Sequence, residues 1–187
     1  MKVLGLIGSP RKRGNTDLVV DQILNGAQTK GYMTEKVYLK KYISLCTDCR
    51  ACKTGDFECK IDDVMQQIYP KMAEADVIVF GTPVYWYGPT AMMKMLLDRM
   101  HPFVENKKLV GKRAIVVAPS AEGPDCCGPL VEMFRLSFEY LGVQLVGTVL
   151  PKAYNMAEVA KDKEVMSRAF ELGLLFRMLG SMGNIAR

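Results

Sequence analysis

No stretch of this 187-residue chain is apolar for long enough to cross a bilayer. The amino terminus also lacks the layout of a signal peptide. Its apolar run, Val3 to Ile7, is short, and Arg11, Lys12 and Arg13 follow it rather than precede it. A cytoplasmic protein without a membrane partner is therefore expected. Histidine is almost missing: His101, the one copy, stands beside Pro102 at a predicted helix end and reads as a cap. No side chain is placed like a dedicated catalytic acid or base. Repeats, linkers and low-complexity tracts are absent too, which leaves one domain over residues 1–187.

The apolar (49%) and charged (24%) fractions are those of an ordinary globular chain. The net charge of +5 is spread along the sequence. It suits an anionic cofactor and argues against a nucleic-acid partner. Thirteen methionines, several in Met92-Met93-Lys94-Met95, are expected to pack the core or a dimer surface.

The elements alternate. Lys2 to Gly8 is a buried strand, and Asn15-Thr16-Asp17 opens a helix that reaches about Lys30 and stops at Gly31. Thr34 to Leu39 is a second strand. Asp62-Asp63 caps a helix carrying Val64, Met65, Ile68, Met72 and Ala73, in which Pro70 predicts a kink or a split. Asp76 to Gly81 is a third strand, followed by a helix over Thr90 to Met100. Arg113 to Ala118 and Val143 to Leu150 are strands four and five, with a helix from Leu130 to Leu141 between them. Glu158 to Leu179 closes the chain as a long helix. Five strands alternating with five helices make a doubly wound parallel α/β sheet.

Gly8-Ser9-Pro10-Arg11-Lys12-Arg13-Gly14-Asn15-Thr16 joins the first strand to the first helix. Amides at a helix start, with its partial positive charge, favour a phosphate. The loop is not a P-loop, since Gly8 is followed five residues later by Arg13, nor a dinucleotide fingerprint. A monophosphate is the expected ligand; a plain turn with a basic patch is the alternative. After the third strand, Thr82-Pro83-Val84-Tyr85-Trp86-Tyr87-Gly88-Pro89 brings three consecutive aromatics to the same sheet edge. Their side chains point in different directions, so they cannot all be core. A flat heteroaromatic ring or a subunit interface would cover them.

Four of the six cysteines form Cys46-x2-Cys49-x2-Cys52-x6-Cys59, a loop inserted after the second strand over residues 46–59. Four thiolates from one loop match the demand of a 4Fe–4S cluster. Zinc usually joins two Cys-x2-Cys knuckles across a longer gap, and structural disulfides are rare in the cytosol. The charges nearby do not decide, because Lys40, Lys41, Arg50, Lys53 and Lys60 balance Asp48, Asp56, Glu58, Asp62 and Asp63. Cys126-Cys127 read as bystanders. Asp98 and Arg99 could form a local ion pair or a subunit contact.

The Gly-Ser-Pro-Arg…Gly-Asn-Thr start, the cysteine run with its Asp-Asp and the Gly-Thr-Pro-Val-Tyr-Trp-Tyr-Gly-Pro segment, followed by Asp98-Arg99, resemble the NADPH-dependent FMN reductase superfamily. The resemblance covers about residues 2–150 and is strongest to the iron–sulfur flavoproteins. It implies a flavodoxin-like five-stranded sheet of order 2-1-3-4-5, with helices on both faces, carrying FMN and a 4Fe–4S cluster. Ser9, Arg11, Asn15 and Thr16 would hold the FMN phosphate. Thr82, Pro83, Val84, Tyr85, Trp86, Tyr87 and Gly88 would flank the isoalloxazine ring, and Ser120 would stand at a third edge. Cys46, Cys49, Cys52 and Cys59 would hold the cluster.

By the same resemblance the protein passes electrons between FMN, the cluster and a small-molecule or protein redox partner. NAD(P)H is a candidate donor, and a homodimer or homotetramer is implied. Cluster-free reductases of the superfamily keep cysteines in this loop, so free thiols on an NAD(P)H-dependent FMN or quinone reductase are the alternative. A zinc- or thiol-based redox sensor is a third reading.

Overall fold

A computed structural model describes residues 1–39 and 43–176. Five parallel strands, β1 (Lys2–Ile7), β2 (Met33–Tyr38), β3 (Val77–Gly81), β4 (Arg113–Val117) and β5 (Gln144–Val149), lie in the order β2-β1-β3-β4-β5. This is the flavodoxin-like winding, with its direction switch between β1 and β3. The α-helices are α1 (Asn15–Thr29), α2 (Met65–Glu74), α3 (Ala91–Asp98), α4 (Pro102–Asn106), α5 (Gly128–Leu141) and α6 (Lys163–Leu174). No helix among the described residues is long and apolar enough to cross a membrane.

Strand side chains alternate between two cores, as a period of two requires. Leu4, Leu6, Ile78, Phe80, Ala114 and Val116 face one layer, which buries Met65, Ile68 and Met72 of α2, Met93 and Leu96 of α3, and Phe134 and Phe138 of α5. Val3, Ile7, Val77, Val79, Ile115 and Val117 face the other, with Val19, Val20 and Ile23 of α1 and Ala169 of α6. In the first layer Phe80 stacks with Phe134 and Phe138 at centroid separations of 5.8 and 4.9 Å. In the second, α1 and α6 cross backbone to backbone at Gly26 and Gly173. A Cβ on Gly173 would lie 2.1 Å from the Ile23 carbonyl oxygen, and one on Gly26 2.1 Å from that of Phe170.

Three expectations change. The segment after α3 forms an extra helix, α4, with Pro102 at its first position, where a missing N–H costs nothing. Of the kink or split expected at Pro70, the split does not occur, since α2 runs unbroken through it. Pro70 and Gln66, whose carbonyl loses its partner, are both exposed, so the orphaned acceptor lies on the solvent side of the helix. The closing helix begins at Lys163, not Glu158. Glu158–Lys161 is a separate 3-10 turn, and Asp162 then caps α6 by accepting from the Val165 N–H at 3.0 Å. Lys40, Lys41 and residues 177–179 of the expected last helix lie outside the described residues.

Candidate functional site

The strand ladder extends past the sheet edge into the loops that follow it. The Gly8 N–H donates to the Gly81 carbonyl at 2.7 Å, that of Thr82 to Val117 at 2.9 Å, and that of Val84 to Pro119 at 3.1 Å. Ser120 N–H donates to the Pro151 carbonyl, and Ala153 N–H to that of Ser120. Four loops are thereby locked side by side at the carboxyl edge. They enclose a cavity of about 200 Å³. Its wall includes Ser9, Arg11, Asn15 and Thr16 after β1, Pro83, Val84 and Tyr85 after β3, and Ser120 after β4.

The cavity opens at the start of α1. Gly14 at the N-cap offers no side chain, so the helix start keeps its positive end for a ligand. Thr16 is buried and Arg11 exposed. Beneath the loop, the Asp17 carboxylate accepts from the Arg13 N–H, the Tyr38 hydroxyl and Lys36 Nζ, each at 2.7 Å. Burial alone would push this carboxyl up. The hydrogen bonds from Lys36, Tyr38 and the Arg13 amide outweigh burial and hold it below the ordinary carboxylate range.

The expected site residues divide into two groups. Ser9, Arg11, Asn15, Thr16, Pro83, Val84, Tyr85 and Ser120 meet around the cavity. Thr82 does not line it: it is fully buried, donates to the Pro83 carbonyl and accepts from the Thr90 N–H, both at 3.0 Å. The Asn15 side chain is already engaged, donating to the Asn155 carbonyl at 2.8 Å and accepting from the Val159 N–H at 3.1 Å. The Ser120 hydroxyl is spent within its own turn, on the amide and carbonyl of Gly123.

Trp86 and Tyr87 form the tip of a two-residue hairpin closed by reciprocal bonds between Tyr85 and Gly88. Both have left-handed backbones, with φ of 51° and 62°, a conformation that such a turn ordinarily gives to Asn and Gly. Trp86 is 98% exposed. Together with Val84, Ser120, Ala121, Glu122 and Cys126 the two aromatics line a neighbouring pocket. Cys126, read from sequence as a bystander, donates its S–H to Ser120 Oγ at 3.1 Å there. The sequence also gave no sign of Ala153 and Tyr154, which wall the cavity from beyond β5. The isolated bridge of Ser120 to Lys152 brings that segment in, and no motif marks it.

The cysteine loop lies apart from this cavity, against α2, α3 and α4. Cys46 and Cys49 are exposed, Cys52 and Cys59 half-buried, and all are free thiols. Burial, followed by the sulfurs of Cys59, Cys46 and Cys49, pushes the Cys52 thiol up. Among the described residues no three His, Cys, Asp or Glu side chains are arranged to hold a metal ion.

Asp98 and Arg99 do not pair with each other. Asp98 pairs with Lys94 one turn back, on the surface. Arg99 turns inward and binds Asp63 with both terminal nitrogens, at 2.6 and 3.2 Å. One guanidinium thus reaches beneath the cysteine segment from 36 residues away in sequence.

Comparison with known proteins agrees with this layout. An iron–sulfur flavoprotein of Methanocaldococcus jannaschii is 41% identical over 126 residues, covering 66% of this chain and 65% of the relative. Another, from Archaeoglobus fulgidus, is 37% identical over 60% of this chain and 51% of its own length. The match thus spans between half and two thirds of these relatives. Among solved structures, the Trp repressor binding protein from Bacillus subtilis superposes with a TM-score of 0.72 at 23% identity, over 92% of this chain and 98% of that one. The pattern of the NADPH-dependent FMN reductase family matches residues 1–155, and the chain belongs to that family.

Proposed function

We propose that this protein is an FMN-dependent oxidoreductase that passes electrons between FMN in the four-loop cavity, a 4Fe–4S cluster on Cys46, Cys49, Cys52 and Cys59, and a redox partner. The observation that carries the reading is the convergence of the loops after β1, β3, β4 and β5 on one cavity at an uncapped helix start. Names of relatives, the iron–sulfur flavoproteins, support the cluster.

The residues present suit both groups. The first turn of α1, with Ser9 and Arg11, would hold the phosphate, while Pro83, Val84 and Tyr85 would lie along the ring. The four sulfurs come from one loop, and the buried Arg99 beside Cys59 favours an anionic group there. When bound, FMN supplies hydride and single-electron exchange and a cluster supplies single-electron exchange. The chain's part is to seat, orient and shield. Pro83 and the strained Trp86-Tyr87 tip stiffen the aromatic loop, and the Asp17 network fixes the phosphate loop.

NAD(P)H as donor, a homodimer or homotetramer, and a cytoplasmic location belong to the same proposal. The assembly is supported by the exposed Trp86, Tyr87 and Tyr85. An anaerobic preparation assayed for FMN, iron, sulfide and zinc tests the whole. We expect about one FMN, four iron and four sulfide per chain. A colourless protein that refuses added FMN would sink the reading. Flavin without iron would instead support a cluster-free NAD(P)H-dependent FMN or quinone reductase, the reading favoured by the dispersed ligands.

A further inference from the structure

Arg99, the cap residue at the end of α3, is the largest fully buried side chain among the described residues, at 1% exposure. Its Nη1 donates to Asp63 Oδ2 at 2.6 Å and to the Ser44 carbonyl at 2.9 Å. Its Nη2 donates to Asp63 Oδ1 at 3.2 Å and approaches Cys59 Sγ at 3.4 Å. Asp63 in turn accepts from the N–H groups of Ser44 at 2.8 Å and Met65 at 2.9 Å. The points held are Ser44, two residues before Cys46, and Cys59 with Asp63 at the far end. A single fork thus fixes both ends of the cysteine segment. The remaining donor, Nε, is buried and has no partner among the described residues.

Two features exceed what a loop anchor needs. A tie between Ser44 and Asp63 needs only oxygen acceptors, yet Nη2 reaches a sulfur as well as the carboxylate. An orphaned, buried N–H on a cation is expensive to maintain, and native proteins rarely keep one without a use. The guanidinium is balanced by the Asp63 carboxylate, so Cys59 faces the positive end of a buried ion pair, whose field acts through a low dielectric. Hydrogen bonds to ligand sulfurs and nearby charge are the levers by which proteins set the potential of iron–sulfur centres.

We infer that Arg99 is a positioning residue for the cysteine site: through Asp63 and Ser44 it sets the loop, through Nη2 it holds Cys59, and its charge favours the more negative, reduced form of the group the four sulfurs carry. This inference rests on the cluster reading above. Removing the charge leaves the reduced form less stabilised, so the centre becomes harder to reduce. Arg99→Lys keeps the charge and loses the fork; Arg99→Gln loses the charge and keeps one polar group.

The test compares wild type, Arg99→Lys and Arg99→Gln, all prepared anaerobically. It records iron and sulfide content, thermal midpoint and the cluster midpoint potential from an EPR-monitored titration, with the FMN potential as internal control. The cluster potential should fall in Arg99→Gln and by a smaller step in Arg99→Lys, with the flavin unmoved. Loss of iron from Arg99→Lys at an unchanged thermal midpoint would also support the role. An unchanged cluster potential in an iron-loaded variant overturns it. So does loss of iron only together with loss of the fold, which would make Arg99 a structural tie. If Arg99→Gln does not fold, Arg99→Lys decides alone. A wild type with flavin but neither iron nor sulfide removes the cluster reading itself, and this inference with it.

Discussion

At the foot of the phosphate loop, the Asp17 carboxylate is 1% exposed and is satisfied by a backbone amide, a phenol and an ammonium group. Replacing it with Asn leaves Lys36 and the Arg13 N–H competing for one carbonyl oxygen. We expect Asp17→Asn to lower stability by about 2–3 kcal/mol at neutral pH, read from urea unfolding. The sign of the pH dependence follows from the direction of its shift. The folded carboxyl ionises below its unfolded value of about 4, so its contribution is complete above that value and is lost as pH falls through the folded one. The gap between variant and wild type should therefore narrow under acid conditions. A constant gap would mean that Asp17 acts through packing alone. Single residues were unevenly legible. Ser9, Arg11 and Thr16 could be placed because a glycine-bounded loop after a strand leaves them few positions. Arg99 could not, because neighbours at a helix end point about 100° apart, and its partner is far off in sequence.

The α1–α6 crossing shows how elements are held. Without side chains at Gly26 and Gly173 the two backbones approach until a methyl has no room. Gly173→Ala would place a carbon 2.1 Å from the Ile23 carbonyl oxygen. The helix cannot yield without disturbing Ala169 and Val19 in the same layer. A loss of about 2–3 kcal/mol is expected in thermal or urea unfolding. A neutral outcome would show that the helices slide apart freely. Strands were readable as elements because parallel strands covered on both faces are continuous apolar runs, such as Val77 to Phe80. Helix ends were less so. The brief α4 was not expected, although Pro102 after His101 is a start signal, and the turn before Lys163 carried acidic residues that resemble a cap.

For the molecule as a whole, the direction switch between β1 and β3 dictates where the cavity lies. The doubly wound sheet followed from strand count and alternation, and its strand order from the family resemblance. What did not follow is the fourth wall, supplied from beyond β5. The aromatic tip is also a matter for the whole assembly. Two bulky residues sit in a left-handed turn that disfavours them, and Trp86 is left 98% exposed. If a second copy covers it, Trp86→Gly should shift sedimentation toward a smaller species. The chain itself should lose no stability, and glycine should relieve about 1 kcal/mol of backbone strain. Unaltered sedimentation would remove the tip from the interface.

The hydrogen bonds that Asn15 makes to Asn155 and Val159 lead one step further. They tie the opening of α1 to a stretch that runs past residue 155, where the shared family pattern stops. The way the helix start is held is thus partly set by sequence beyond the matched stretch. Exchanging residues 155–159 would therefore shift that helix start while every residue of the cavity wall stayed the same.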